Sequence, residues 1–540
     1  MEAKSSNITR ALLWIAMAVA PLVSMFLVGL VSGTSVFSID AWNTEWNDER
    51  HYFWTVQQMH LFGEPQGVAG YNEVTAARPS YGPYSVVTYV PYYLGAFFTG
   101  TGSHNYVYAI NVALSVIAAG VVILVLRPDV RRAAFCAVFF LTQFIIERYA
   151  CSGMTEESYV LFAAIVGSCA VWIGVHGSAP SARWKLVLAF VASIAAIGFW
   201  GAMRPFLLAF AIVPCALLVW GRIDLTRPAR VVLFVFALVA SAIALVSYVY
   251  VAKYYATPYF GDSSTLDLLA NLINGGIPEF VRLHGRFVLS VGKSFVTLNW
   301  AGILTFLFVV AWVILLVLAI RMRNAEKGRQ VMPRCKHAAV ASDFVSTRSA
   351  FVVAVSLLVA GALMFEANIL LYSAARIHRM LIAVDVVYFI AIVWFGACAV
   401  RQSAVTWRLG YQVLVTVLCA ASLLVNPGSF AYPQASDSFD AATEKQAAEA
   451  LAAAMPQQAD AWDNTVAHPV ESNGLQIYYC LPAYLNLNGC TKEYVKQAMK
   501  DGSLSSKYLS LPAKSSLNKK ARKQYDVVYE GLNHVIYKVK

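Results

Sequence analysis

Charge is what this chain has least of: only 13% of its residues are Asp, Glu, Lys or Arg, against 59% hydrophobic. That scarcity excludes a disordered polyelectrolyte and an ordinary soluble domain with a solvated surface all round. His and Cys spacings that would hold zinc are missing. So are internal repeats of the kind common in secondary transporters, and any nucleic-acid-binding motif that would give the formal charge of +11 such a partner. The basic residues sit largely in short loops between apolar runs, where they set topology. The first apolar run, ALLWIAMAVAPLVSMFLVGLV, is too long for the core of a cleaved leader and lacks a small-residue cleavage site. It reads as a retained anchor with the N-terminus in the cytoplasm.

What the chain does have is apolar runs of about twenty residues, one after another. They predict an α-helical polytopic membrane protein with about eleven transmembrane helices, near 10–32, 105–126, 132–147, 156–176, 185–201, 204–221, 229–252, 297–320, 349–373, 380–400 and 407–426. Residues 79–100 are apolar too, but Pro83, Pro91 and the Tyr content suit the membrane surface better than a crossing. With that segment not crossing, the basic loops 127–131, 177–184, 222–228, 321–348 and 401–406 all fall inside. The outer segments are then loop 33–104, loop 253–296 and everything after about 427.

The chain thus divides into a membrane module, 1–426, and an extracytoplasmic α+β domain, 427–540. In the tail, DSFDAATEKQAAEALAAAM predicts a helix, and DNTVAH, LQIYYC, YDVVYE and HVIYKV predict strands, the last two joined as a hairpin. Cys480 and Cys490 fit a disulfide closing a loop around LPAYLNLNG, or two separate thiols. Cys136, Cys169, Cys215, Cys398 and Cys419 lie in apolar runs as small buried thiols.

Polar chemistry gathers on the outer side. In WNDERHYF, just beyond the first span, Asp48 and Glu49 are adjacent, so one can face a reaction centre while the other holds a cation or a backbone group. The plainer account is a solvated acid pair capping the helix YFWTVQQMHLFG. Glu156 and Glu157 open a span, where a helix N-terminus favours acids. Arg286, Arg376 and Arg379 are basic residues on the side where such residues are scarce, either snorkelling to headgroups or holding an anion. Arg204 could orient a short turn. Glu366 and Asp385 lie inside spans and call for a cavity or a partner. His51, His284 and His378 stand near these groups without a role.

A first span, an outer loop with an Asp-Glu pair followed closely by Tyr, and then an amphipathic helix resemble the GT-C superfamily of membrane glycosyltransferases. The closest likeness is to the protein O-mannosyltransferases and lipid A aminoarabinose transferases. The surface segment SYGPYSVVTYVPYYLGAFFTG and the acidic turn in ERYACSGMTEESYVLFAA match that pattern in position. The resemblance covers about residues 10–425 and implies transfer of a sugar from a polyprenyl-phosphate donor to an acceptor hydroxyl on the extracytoplasmic face. It implies Asp48 as general base, inversion at the anomeric carbon, and Glu49 in positioning. Arg286, Arg376 and Arg379 would meet the departing phosphate, and Glu156 and Glu157 would contact the acceptor or share a divalent metal ion with Asp48. The acceptor is a glycan, a lipid or a protein. The alternatives are a transporter or flippase of lipid-linked glycans, and a catalytically silent assembly protein.

Overall fold

Apolar runs in a bilayer must satisfy their backbone groups internally, and helices are what these runs form. The computed structural model describes residues 2–32, 47–62, 71–73, 86–100, 105–143, 146, 150, 152–178, 183–254, 265–296, 300–329, 347–371, 377–400, 410–416, 453–455, 465–469, 486–532 and 534–539. The helices are α1 (Glu2–Ser32), α2 (Asn47–Phe62), α3 (Val90–Thr99), α4 (Asn105–Leu126), α5 (Val130–Thr142), α6 (Ser158–His176), α7 (Arg183–Met203) and α8 (Ile212–Trp220). They continue with α9 (Arg227–Tyr254), α10 (Thr265–Val296), α11 (Trp300–Arg329), α12 (Thr347–Leu371) and α13 (Ile377–Val400).

Among the described residues, seven helical stretches are long and apolar enough to cross a membrane, and Pro205–Trp220 and Met380–Gly396 are shorter apolar helices. The protein is an integral membrane protein. The bundle has a centre: α13 is buried along almost all of Met380–Phe395, with α6, α11 and α12 packed around it. At the periphery α9 exposes Val231, Val232, Val246 and Ile243, the surface a lipid would cover. The expected span 132–147 differs in extent, since α5 closes at Thr142, where Gln143 turns to extended backbone. Of the expected span 407–426, only the helical residues 410–416 are described.

The apolar segment expected at the membrane surface is a 3₁₀ turn, Val86–Tyr89, running into the ten-residue α3. At about 1.5 Å per residue, α3 reaches only half of a bilayer core. It packs on α4, and the 3₁₀ turn packs on the end of α7. Loop 253–296 holds the amphipathic α10, kinked at Gly276, whose φ of 53° suits a residue without a side chain.

Among the described residues the tail folds as a six-stranded mixed sheet with two helices. Its strands are β1 (Tyr71–Asn72), β2 (Thr465–Pro469), β3 (Asn486–Cys490), β4 (Tyr508–Pro512), β5 (Asp526–Glu530) and β6 (His534–Lys538), in spatial order β1-β3-β2-β4-β6-β5. β1, β3, β2 and β4 run parallel, and β6 pairs antiparallel with β4 and β5. The period of two sends Ala467, Leu509, Leu511, Val535 and Tyr537 to one face, under α14 (Lys492–Asp501) and α15 (Asn518–Gln524). The intervening Val466 and Ile536 face the other way and join the apolar cluster of the bundle. Thr491 caps α14 by accepting from Tyr494 N at 3.0 Å, and Gly502 ends it at φ 68°.

β1 comes from the first loop, so the tail domain is completed by the membrane module. The division at 427 is therefore crossed by one strand. Pairing of β1 with β3 also puts the first loop and the tail at one end of the bundle, termed the outer end below.

Candidate functional site at the outer end of the bundle

Asn111 and Ser115 stand four residues apart on α4, hence on one face of an otherwise apolar helix. Asn111 is fully engaged. Its Oδ1 accepts from Tyr92 Oη of α3 at 2.6 Å, and its Nδ2 donates to the carbonyls of Ser152 and Met154 at 2.6 and 3.0 Å. That side chain stitches the surface helix α3 to the turn before α6.

The same turn, a 3₁₀ stretch over Thr155–Glu157, buries both acids at 0% exposure. Ser115 Oγ donates to Glu157 Oε1. Glu157 Oε2 has no hydrogen-bond partner among the described residues. A buried carboxyl oxygen without a partner costs free energy that packing must offset, so its presence points to a ligand or to the reaction itself. The next residue, Ser158, accepts from Trp200 Nε1 at 3.2 Å, which fixes the end of α7 against the start of α6.

α7 stops at Met203 because Pro205 disfavours helical backbone at Arg204, which is extended at φ −144° and ψ 109°. The stop turns Arg204 inward, where it is 4% exposed and brings Nη2 to 3.5 Å from Tyr52 Oη. Tyr52 belongs to α2, and its ring lies 6.0 Å from that of Tyr89. Asp48 precedes Tyr52 by four residues, one turn earlier in α2. The outer end thus gathers a buried guanidinium, two buried carboxyls and the helix bearing the Asp-Glu pair, with Tyr52, Tyr89 and Tyr92 of the first loop buried beside them.

Geometry of this kind can be compared with known proteins. No family model matches the chain, and no curated protein matches it. Among solved structures, the archaeal oligosaccharyltransferase AglB from Archaeoglobus fulgidus, in complex with an inhibitory peptide and a dolichol-phosphate, aligns over 92% of this chain and 69% of its own, with TM-score 0.54 and 12% identity. The Archaeoglobus fulgidus oligosaccharyltransferase in complex with Zn and sulfate aligns over 94% and 69%, with TM-score 0.54 and 14% identity. The chain thus shares the fold of these oligosaccharyltransferases. ArnT from Cupriavidus metallidurans in the apo state aligns over 98% of both chains at 14% identity, but its TM-score of 0.41 carries no weight.

On this fold the expected site residues stand in different places. Glu156 and Glu157 are buried at the outer end, as described. Arg286 is exposed on α10, where it bears electrostatically on Glu279, itself paired with Arg282. The side chains of Asp48, Glu49 and Arg379 lie outside the described residues, as do Arg376 and Cys480 altogether. Cys490 is buried in β3 with its sulfur 3.3 Å from the His468 carbonyl oxygen. Among the described residues no group of three or more His, Cys, Asp or Glu could hold a metal ion.

Sequence reading used Tyr52 only as the Tyr that follows the Asp-Glu pair, and did not single out Tyr92, Asn111 or Ser115. The signal for the last two was there: a polar pair four apart inside an apolar span. Glu366, expected to call for a cavity or a partner, meets His284, which was left without a role, at 3.1 Å across α10 and α12.

Proposed function

We propose that the protein is an integral membrane glycosyltransferase that moves a sugar from a polyprenyl-phosphate-linked donor to an acceptor hydroxyl on the extracytoplasmic face. The observation that carries this reading is the under-bonded Glu157 carboxyl, buried beside Glu156 at the same end of the bundle as the helix bearing Asp48. Buried acids held at one end of an apolar bundle suit chemistry on a substrate anchored in the bilayer.

In this mechanism Asp48 accepts the proton of the acceptor hydroxyl as that oxygen attacks the anomeric carbon. The bond from that carbon to the phosphate oxygen breaks, and polyprenyl phosphate leaves with its electron pair. A single displacement inverts the anomeric centre. Glu49 positions the base or its partner. Arg376 and Arg379, with Arg286, meet the charge growing on the phosphate, and Arg204 holds the Asp48 helix through Tyr52. Glu156 and Glu157, with Asp48, would offer a bound cation oxygen donors alone, which suit a hard divalent ion and not zinc. Such a cation would supply further charge neutralisation. The acceptor is a glycan, a lipid or a protein. The N-terminus faces the cytoplasm, the outer end faces out, and the protein resides in the plasma membrane.

A transporter or flippase needs a polar route through the midplane. The central helix carries one acid there, Asp385, among Leu381–Val384 and Val386–Val387, which favours the enzyme. The test is transfer from a lipid-phosphate donor by the purified chain in lipid nanodiscs. Asp48→Asn is expected to cut the rate by about 10²-fold or more. Equal transfer by wild type and variant would refute the mechanism.

A further inference from the structure

Residues 71–73 leave the first loop's other elements and enter the sheet of the tail. Tyr71 and Asn72 pair in parallel with Asn488 and Gly489. Glu73 follows, 1% exposed, and among the described residues its hydrogen bonds all end on the tail. Its Oε1 accepts from the backbone N–H of Ser505 at 2.6 Å and of Ser506 at 3.1 Å. Its Oε2 accepts from Ser506 Oγ at 2.5 Å and Asn488 Nδ2 at 3.1 Å. Its own N–H donates to the Gly489 carbonyl at 3.0 Å, and its carbonyl accepts from Ser505 Oγ at 3.3 Å.

Two successive backbone N–H groups aimed at one carboxylate oxygen make a small anion receptacle, and only an acid reaching from outside the tail fills it. Taking a carboxylate out of water is costly unless its lone pairs are met, and here four donors meet them. The seat is therefore specific as well as firm. It interrupts the loop midway: Phe62 closes α2 before it, and Val86 opens the 3₁₀ turn after it. Those two elements bring Tyr52 and Tyr89 to the candidate site.

We propose that Glu73 is a positioning residue. Through it the tail domain becomes the fixed point of the first loop and sets where α2, with Asp48, stands over the site. The effect on transfer rests on the glycosyltransferase reading above, whereas the mechanical link does not. It gives the tail a role within the site instead of a separate binding task.

The experiment is hydrogen exchange on the full chain in nanodiscs, with transfer kinetics alongside. In Glu73→Ala, amides of residues 71–73 and of α2 are expected to exchange about tenfold faster or more, while β4 and β6 keep their protection. Turnover, kcat, is expected to fall about tenfold with the donor KM within about twofold, because the base is displaced and the donor pocket is not. Glu73→Gln keeps an acceptor oxygen for the Ser505 and Ser506 N–H groups and is expected to recover most of both. Unchanged α2 exchange in Glu73→Ala overturns the proposal. That readout needs no turnover, so an absence of transferase activity in the wild type would count against the functional reading alone. Should β4 and β6 lose protection in Glu73→Ala, the smaller lesion Ser506→Ala is read instead, where unchanged α2 exchange over a protected sheet overturns the proposal.

Discussion

Two buried carboxylates, Glu73 and Glu157, differ in how completely their oxygens are met. Glu73 receives four donors from the tail, whereas Glu157 receives one from Ser115 and keeps Oε2 without a partner among the described residues. A saturated buried acid holds structure together, because every donor it meets would be stranded by its loss. An unsaturated one retains bonding capacity that the fold itself does not use. The contrast separates the anchor from the candidate chemistry even though both acids are equally hidden from water.

The contrast can be broken most sharply at the anchor. Glu73→Ala strands the Ser505 and Ser506 N–H groups and the Asn488 amide, and is expected to cost about 1.4 kcal/mol or more of the local stability of residues 71–73 and α2 in hydrogen exchange, while β4 and β6 keep their protection. A loss below about 1 kcal/mol would mean that the four donors are satisfied elsewhere. At the other acid the expectation reverses. Glu157→Gln keeps shape and the Ser115 contact while removing the ionisable group, so stability should hold within about 1 kcal/mol while transfer falls about tenfold or more. Unchanged transfer would return Glu157 to a helix-start role.

Arg204→Met keeps bulk but removes the contact to Tyr52. A drop of about tenfold in transfer is expected, with a shift in the melting temperature of a few degrees. An unaltered rate would disconnect the α7 turn from α2.

The smallest effect concerns His284. Its Nδ1 lies 2.8 Å from the Phe280 carbonyl and its Nε2 3.1 Å from the Glu366 carboxylate, so both ring nitrogens face acceptors and the protonated ring fits best. The Phe280 carbonyl, and then Glu366, hold its pKa above the ordinary value against partial desolvation. A raised folded-state pKa means that the stabilisation is complete below the unfolded value near 6.5 and is lost as pH rises through the folded one. Both partners are partly exposed, so the amount is under about 1 kcal/mol. Melting temperature against pH should decline more steeply above neutrality in wild type than in His284→Gln, and parallel curves would remove the tether between α10 and α12.

Much of the bundle was legible because a span announces itself by length and composition. Val107–Leu126 and Arg183–Met203 agree with the expected 105–126 and 185–201 within a few residues. The strands ending the tail were legible too, at Asp526–Glu530 and His534–Lys538. The strand expected at LQIYYC and most of the predicted Ala-rich helix lie outside the described residues. β1 was not legible: a two-residue strand has no period to detect, and Glu73 beside it is held 415 residues away by Asn488. Burial of Glu156 and Glu157 was likewise hidden, since a helix-start acid pair is spelled the same way whether it faces water or protein. The inward turn of Arg204 was half visible in the Arg-Pro step, which marks a helix end but not the direction its side chain takes.

The borrowed strand has a consequence for anyone handling the tail by itself. Cut free of the first loop, residues 427–540 would display β3 as a bare border with unsatisfied backbone groups, and would uncover the Val466 and Ile536 face that the bundle shields. Such a fragment invites a strand from a sister molecule and is expected to self-associate on expression, whereas a fusion restoring residues 71–73 beside β3 is expected to stay soluble.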